Sequence, residues 1–214
     1  METVDHPSDA QLAVHARKRS CGDRPDAVID VGFGVRMSIV RSTYLKWQRH
    51  LVLGDDWRIL VRPIRPDDEF LIRDLLVHVT KEDLRLRFFD SIKEFSPRFI
   101  AKLTKLDYPR AMAFLALDEP SSEMLGVVWL YSDSAHAAGE YAILLRSDLK
   151  GRGLGWALMQ LIIEYAKSEG LKQISGQVLQ ENGVMLKMCR ELGFKVKTDA
   201  KDRGVCDVTL VIDR

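Results

Sequence analysis

The feature that most constrains this chain is a change of period. Three apolar runs, "AMAFLAL" (111–117), "MLGVVWLYSD" (124–133) and "GEYAILLR" (139–146), follow one another with only the turn residues "DEPSSE" and "SDSAHAAGE" between them. Runs of this length with such short links read as strands of an antiparallel meander. The segments before them read as helices. In "DDEFLIRDLLVHV", Leu71, Leu75, Leu76 and Val79 share one helical face, behind Pro66. "TKED" (80–83) is a capping-box variant that opens a short helix. "SPRFIAKLTKL" has Ser96 at the N-cap and Pro97 at the first helical position.

After the meander the periods alternate. Leu154, Leu158, Leu161, Ile162 and Tyr165 face one side of a helix over 154–168 that stops at Gly170. "KQISGQVL" is a strand. "GVMLKMCREL" is a helix with Met185, Met188, Cys189 and Leu192 on one face and a stop at Gly193, and "VCDVTLVI" closes the chain as a strand. The expected architecture is mixed α/β around one largely antiparallel sheet flanked by helices. Upstream, "YLKWQRHLVLGDDWRILVRPIR" (44–65) reads as two extended runs around "GDD", a hairpin signal. Residues 1–36 mix Asp, Arg, His, Ser and Pro without period and read as a poorly ordered tail. Residues 37–57 are then a lead-in segment and 58–214 the patterned domain, with Met37 a candidate internal start.

The composition narrows the function classes. Lys and Arg total 32 against 31 Asp and Glu, a balance unlike that of a nucleic-acid-coating protein. No stretch approaches the ~20 apolar residues of a membrane span, and no apolar core of a secretory signal stands near the N-terminus. Three widely spaced cysteines, Cys21, Cys189 and Cys206, fit a reducing cytoplasmic setting and offer no metal framework. Neither nucleic acid nor membrane is an expected partner, and no metal is expected.

The chemistry concentrates in "DLKGRGLGWALM" (148–159), which packs three glycines just ahead of a helix. Glycine there lets a ligand approach the backbone, and the bare N–H groups of a helix start attract phosphate. A dinucleotide fingerprint would need glycine at 156, which is Trp156, and a P-loop would need Gly-Lys-Ser/Thr, which is absent. What stands is Lys150-Gly151-Arg152-Gly153-Leu154-Gly155. It resembles the pyrophosphate loop of the GNAT superfamily of acetyl-CoA-dependent N-acetyltransferases, Gln/Arg-x-x-Gly-x-Gly/Ala, with Lys150 in place of the usual Gln or Arg. "LQENGVMLKMCRELGF" resembles the second signature of that superfamily, with Asn182, Gly193 and Phe194 in register.

The resemblance implies the GNAT fold over about residues 58–212, acetyl-CoA as cosubstrate, and a set of roles. Residues 150–155, with Trp156, would meet the CoA diphosphate. Leu144 and Leu145 would line the pantetheine and the acetyl carbonyl. Asn182 would contact the pantetheine arm or phosphates, although its position equally suits a helix N-cap. Glu140, at the start of the strand leading to the loop, stands where the family places its general base; His136, four residues earlier, is a rival. Many members have Tyr at the position of Cys189, where it protonates the leaving thiolate. Cys189 falls on an apolar helical face and reads as a buried cysteine, and a thiolate of pKa ~8.5 can depart without an acid.

A narrower resemblance is carried by "VRPIRPDDE", "EDLRLRFF", "DYPRAMAFLALD", "GEYAILLRSDLKGRGLG" and "ISGQVLQEN". These are similar to the acetyltransferase domain of bacterial protein lysine acetyltransferases, which silence acyl-CoA synthetases. That resemblance implies a protein lysine acceptor, an acyl-CoA synthetase among the candidates. Two other functions are compatible with the residues: transfer to a small amine, and a non-catalytic CoA-sensing module. "RLRFF", with Arg85, Arg87, Phe88 and Phe89, either lines the acceptor site or packs as an ordinary helix.

Overall fold

The computed structural model describes residues 45–89, 95–108, 110–200 and 202–212. The tail expected over 1–36, and Met37, lie outside the described residues. Eight strands form one sheet in the order β1-β2-β3-β4-β5-β6-β8-β7. They are β1 (Arg49–Leu53), β2 (Trp57–Pro63), β3 (Ala111–Asp118), β4 (Met124–Ser132), β5 (Ala138–Leu145), β6 (Gln173–Leu179), β7 (Lys195–Thr198) and β8 (Val205–Val211). Helices α1 (Glu69–Val77), α2 (Lys81–Phe88) and α3 (Pro97–Thr104) precede β3; α4 (Leu154–Ser168) and α5 (Gly183–Glu191) flank β6.

The meander over β3, β4 and β5 is antiparallel, as its short links require. The hairpin around "GDD" forms β1 and β2, and β2 pairs with β3, so this segment is a continuous edge of the same sheet. Trp47, just before β1, is buried against Phe114 and Tyr165, with ring centroids 5.7 and 5.3 Å away. Strand β7 is an addition to the expected elements. Its four residues, "KVKT", are mostly exposed, and only pairing with β8 makes them a strand.

Helix starts follow local chemistry. Thr80 accepts a hydrogen bond from the Asp83 amide and Ser96 from that of Phe99, with Pro97 opening α3. Two cores result. One, under α1–α3, gathers Leu71, Ile72, Leu75, Ile100, Leu103, Leu115 and Trp129; the other, under α4 and α5, gathers Phe114, Leu158, Ile162, Tyr165, Ile174 and Cys189. Strand β5 feeds both by its alternation: Ala142 and Leu144 face α1–α3, and Tyr141, Ile143 and Leu145 face α4 and α5.

A buried ion pair locks β2 to the start of α1. Arg62 donates from both terminal nitrogens to the two oxygens of Asp68 at 2.7 Å, and the Arg65 amide donates to Asp68 as well, at 2.6 Å. Arg62 is 8% exposed and Asp68 is 3%. Removing one partner strands the other charge in the interior. Asp68→Ala is therefore expected to lower unfolding free energy by about 3–5 kcal/mol, read as a shift of the urea midpoint at unchanged slope.

Candidate active site

Strands β5 and β6 run parallel, yet they pair over only three positions: Ala138 with Gln173, Gly139 with Ile174 and Glu140 with Ser175. Beyond Glu140 the strands separate. Residues 141–145 keep their partners on β4 and have none on β6. Tyr141 is one cause of the split. Its ring occupies the space above Gly176, where a Cβ would lie 2.8 Å from the ring carbon Cε1. Its hydroxyl meets the Sγ of Cys189 at 3.2 Å.

The split opens into a cavity of about 1270 Å³ between β5, α2, the loop after β5 and the start of α5. Of the residues expected at the site, Glu140, Leu144, Leu145, Lys150, Gly151, Gly153, Gly155, Trp156 and Asn182 all line it. Two do not. Leu154 is fully buried in the core, and Arg152 turns away, its guanidinium 4.1 Å from the centre of the Trp57 ring. Each offers the site only its main chain. His136 is outside the cavity, in the β4–β5 loop, with Nε2 3.9 Å from Glu169.

The glycine loop is shaped for an anion. Gly151 and Gly153 take φ values of +76° and +86°, and a Cβ at either would meet nothing within 4 Å. The backbone is thus in glycine's conformation and faces open space. Gly153 caps α4 without a side chain, so the first-turn amides of Leu154, Gly155 and Trp156 lack intrahelical acceptors. These features fit a diphosphate held by main-chain N–H groups and the positive end of the helix dipole. Gly155 has a different task. A Cβ there would stand 3.2 Å from Leu145, and one at Gly126 on β4 would stand 2.3 Å from the same side chain. Leu145 is wedged between two glycines, and this brings α4 close to the end of β5.

Polar bridges tie α2 to the loop. Lys150 and Ser147 both donate to Asp83, which holds its carboxyl below the usual range against the opposing effect of burial. Arg85 bridges Glu82 at 2.7 Å and Glu181 at 2.6 Å, across to the loop before α5. Asn182 accepts from the Met185 amide at 3.2 Å, so it is the N-cap of α5 while also facing the cavity. Met185 and Met188 line the cavity, and Leu186 is buried in their place.

Glu140 stands at the last paired position of β5, where the split begins. It is largely withdrawn from water. Burial raises its pKa to about 7, with the Arg87 guanidinium pulling it down and Asp207 adding to the rise. Tyr131, its partner on β4, and Arg87 on α2 line the same part of the cavity. Neither tyrosine of this cluster was expected at the site. Alternation could have found Tyr131, which faces Glu140 in register; Tyr141 depends on the split itself. Cys189 is fully buried, and its thiol pKa is raised by that burial, in agreement with a packing role.

Comparison with known proteins identifies the class. The acetyltransferase (GNAT) family profile matches residues 78–194, and the chain belongs to this family. It is 30% identical over 152 residues to Acetyltransferase PA5475 of Pseudomonas aeruginosa, covering 70% of this chain and 82% of that protein. It is 28% identical over 86 residues to an L-methionine sulfoximine/L-methionine sulfone acetyltransferase of Pseudomonas paraeruginosa, 38% of this chain and 50% of that one. In fold it is similar to the GNAT domain of S. lividans PAT, with a TM-score of 0.72 at 24% identity over 78% of this chain and 98% of that domain. The protein is an acetyl-CoA-dependent N-acetyltransferase.

The raised pKa of Glu140 sets a stability change with pH. A carboxyl that binds its proton more tightly when folded stabilises the fold below its unfolded pKa, near 4.5, and that contribution is lost as pH rises through about 7. Glu140→Gln should nearly match the wild type in stability at pH 4.5 and exceed it at pH 8, by about 3 kcal/mol. Melting temperatures at the two pH values test this.

Proposed function

We propose that the protein moves the acetyl group of acetyl-CoA to a primary amine with Glu140 as the general base, and that the acceptor is a protein lysine. The observation that carries the mechanism is a desolvated carboxylate at the apex of a split strand pair, sharing one cavity with the glycine loop. Bound acetyl-CoA supplies a thioester carbon open to attack by a neutral amine. The amides of the glycine loop and of the first turn of α4 hold the diphosphate. The unpaired edge of Tyr141–Leu145 stands ready to pair with the amide-bearing pantetheine arm. A lysine amine has a pKa of ~10.4 and arrives protonated. Glu140, titrating near 7, is largely ionised at pH 8 and is a stronger base than an ordinary carboxylate.

The lysine acceptor is supported by the resemblance of "EDLRLRFF" and "GEYAILLRSDLKGRGLG" to protein lysine acetyltransferases, and an acyl-CoA synthetase is the first substrate to try. A small-amine acceptor is the second reading, favoured by the relative that acts on L-methionine sulfoximine and L-methionine sulfone.

Incubation with acetyl-CoA, an acyl-CoA synthetase and a panel of amines, read by mass spectrometry of the products, separates the two readings. Glu140→Gln should lower turnover by ~10²–10⁴-fold, with activity recovering as pH approaches the amine's own pKa. Acetyl-CoA affinity should hardly change in that variant. Gly153→Glu should do the reverse and abolish acetyl-CoA binding in calorimetry, because its carboxylate would occupy the place of the diphosphate. A small rate loss in Glu140→Gln with an unaltered pH profile would assign the base elsewhere.

A further inference from the structure

Arg87 lines the cavity beside the proposed base, and the acetyl-transfer mechanism leaves it unused. Other arginines held by the fold are paired: Arg62 with Asp68, Arg85 with Glu82 and Glu181, Arg146 with Glu123 and Asp148. Among the described residues no carboxylate stands within ion-pair distance of Arg87, and its Nε is sealed from solvent without a hydrogen-bond partner. Two aromatic rings hold the guanidinium in place, Phe88 at 4.7 Å and Trp129 at 5.8 Å from their centres. Leaving a withdrawn cation without a counter-ion is costly. Glu140, on β5, lines the same cavity and feels this charge without forming an ion pair with it. The cavity therefore holds a cation with no paired carboxylate within the field of Glu140, a complement to a molecule that carries both an ammonium and an anion.

We propose that Arg87 is an anion receptor for the acceptor, binding a carboxylate that lies near the amine presented to Glu140. The planar fork of a guanidinium suits two-point binding of a carboxylate. The assignment rests on the amine-acceptor reading above and adds to it the chemistry beside the amine. That carboxylate has two sources: the α-carboxylate of a free amino acid, or an acidic residue flanking a lysine in a protein.

The test uses the full-length protein and two matched acceptor pairs: L-leucine against L-leucinamide, and a lysine peptide with Glu beside the lysine against the same peptide with Gln. For each pair the ratio of kcat/KM in wild type is divided by the ratio in Arg87→Gln, which cancels differences in amine basicity and any change in Glu140. The expected quotient is about 10- to 100-fold for one pair, and the pair that shows it names the source. Arg87→Lys, which keeps the charge without the fork, should give an intermediate value and serves if Arg87→Gln is unstable. Binding is read separately by titrating the carboxylate member of each pair into CoA-saturated protein. Tighter binding to wild type than to Arg87→Gln without any turnover would support the receptor and sink the reading of that amine as an acceptor instead. Quotients near one for both pairs in folded variants would overturn the proposal. So would the absence of both turnover and Arg87-dependent binding.

Discussion

Everything at the site depends on how short the pairing between β5 and β6 is. Three residue pairs hold the strands together, and the last of them is Glu140 with Ser175. Had the ladder continued, residues 141–145 would have spent their second edge on β6 and left no room for a ligand. The bulk of Tyr141 against Gly176 helps keep the strands apart, and the Tyr141–Cys189 contact fixes the ring. A backbone edge left unpaired in the interior of a sheet is unfavourable unless something else satisfies it. The amide-rich arm of the cosubstrate has the polarity and the extended shape to do so.

The same geometry accounts for the electrostatics. Ending the ladder at Glu140 places that carboxylate in a recess bounded by Tyr131, Tyr141 and Arg87, away from bulk water. Desolvation then dominates its proton affinity, with the arginine opposing it. The glycine loop sits at the other end of β5, and α2 spans both ends: Asp83 meets Lys150 and Arg87 meets the base region. One short helix thus couples the cosubstrate end of the cavity to the acceptor end.

Much of this could be read in the sequence where the causes are local. Caps at Thr80 and Ser96, helix stops at Gly170 and Gly193, and the short links of the meander are decided by neighbouring residues. The glycines of the loop are conspicuous because positive φ and open approach need them. Strand β7 escaped because "KVKT" has little apolar content and becomes a strand only against β8. The rotation of α5, which buries Leu186 and leaves Met185 and Met188 to the cavity, depends on how the helix meets β5 and not on its own period. Arg87 was visible only as part of "RLRFF"; which of its two arginines would find carboxylate partners depends on Glu82 and Glu181, one of them far along the chain. The burial of Glu140 likewise arises from elements on three sides.

Leu145 carries a consequence for how such a sequence can vary. Its two methyl groups fill the space that a side chain would need at Gly126 on one side and at Gly155 on the other. The three positions, drawn from a strand, its neighbour and a helix, share a single small volume. Alanine at Gly126 would displace Leu145, alanine at Gly155 would press it by a few tenths of an ångström, and shrinking Leu145 alone leaves a void beside the loop. Substitutions there are easier to accommodate in compensated combinations, so in a set of descendants these three positions should tend to drift together.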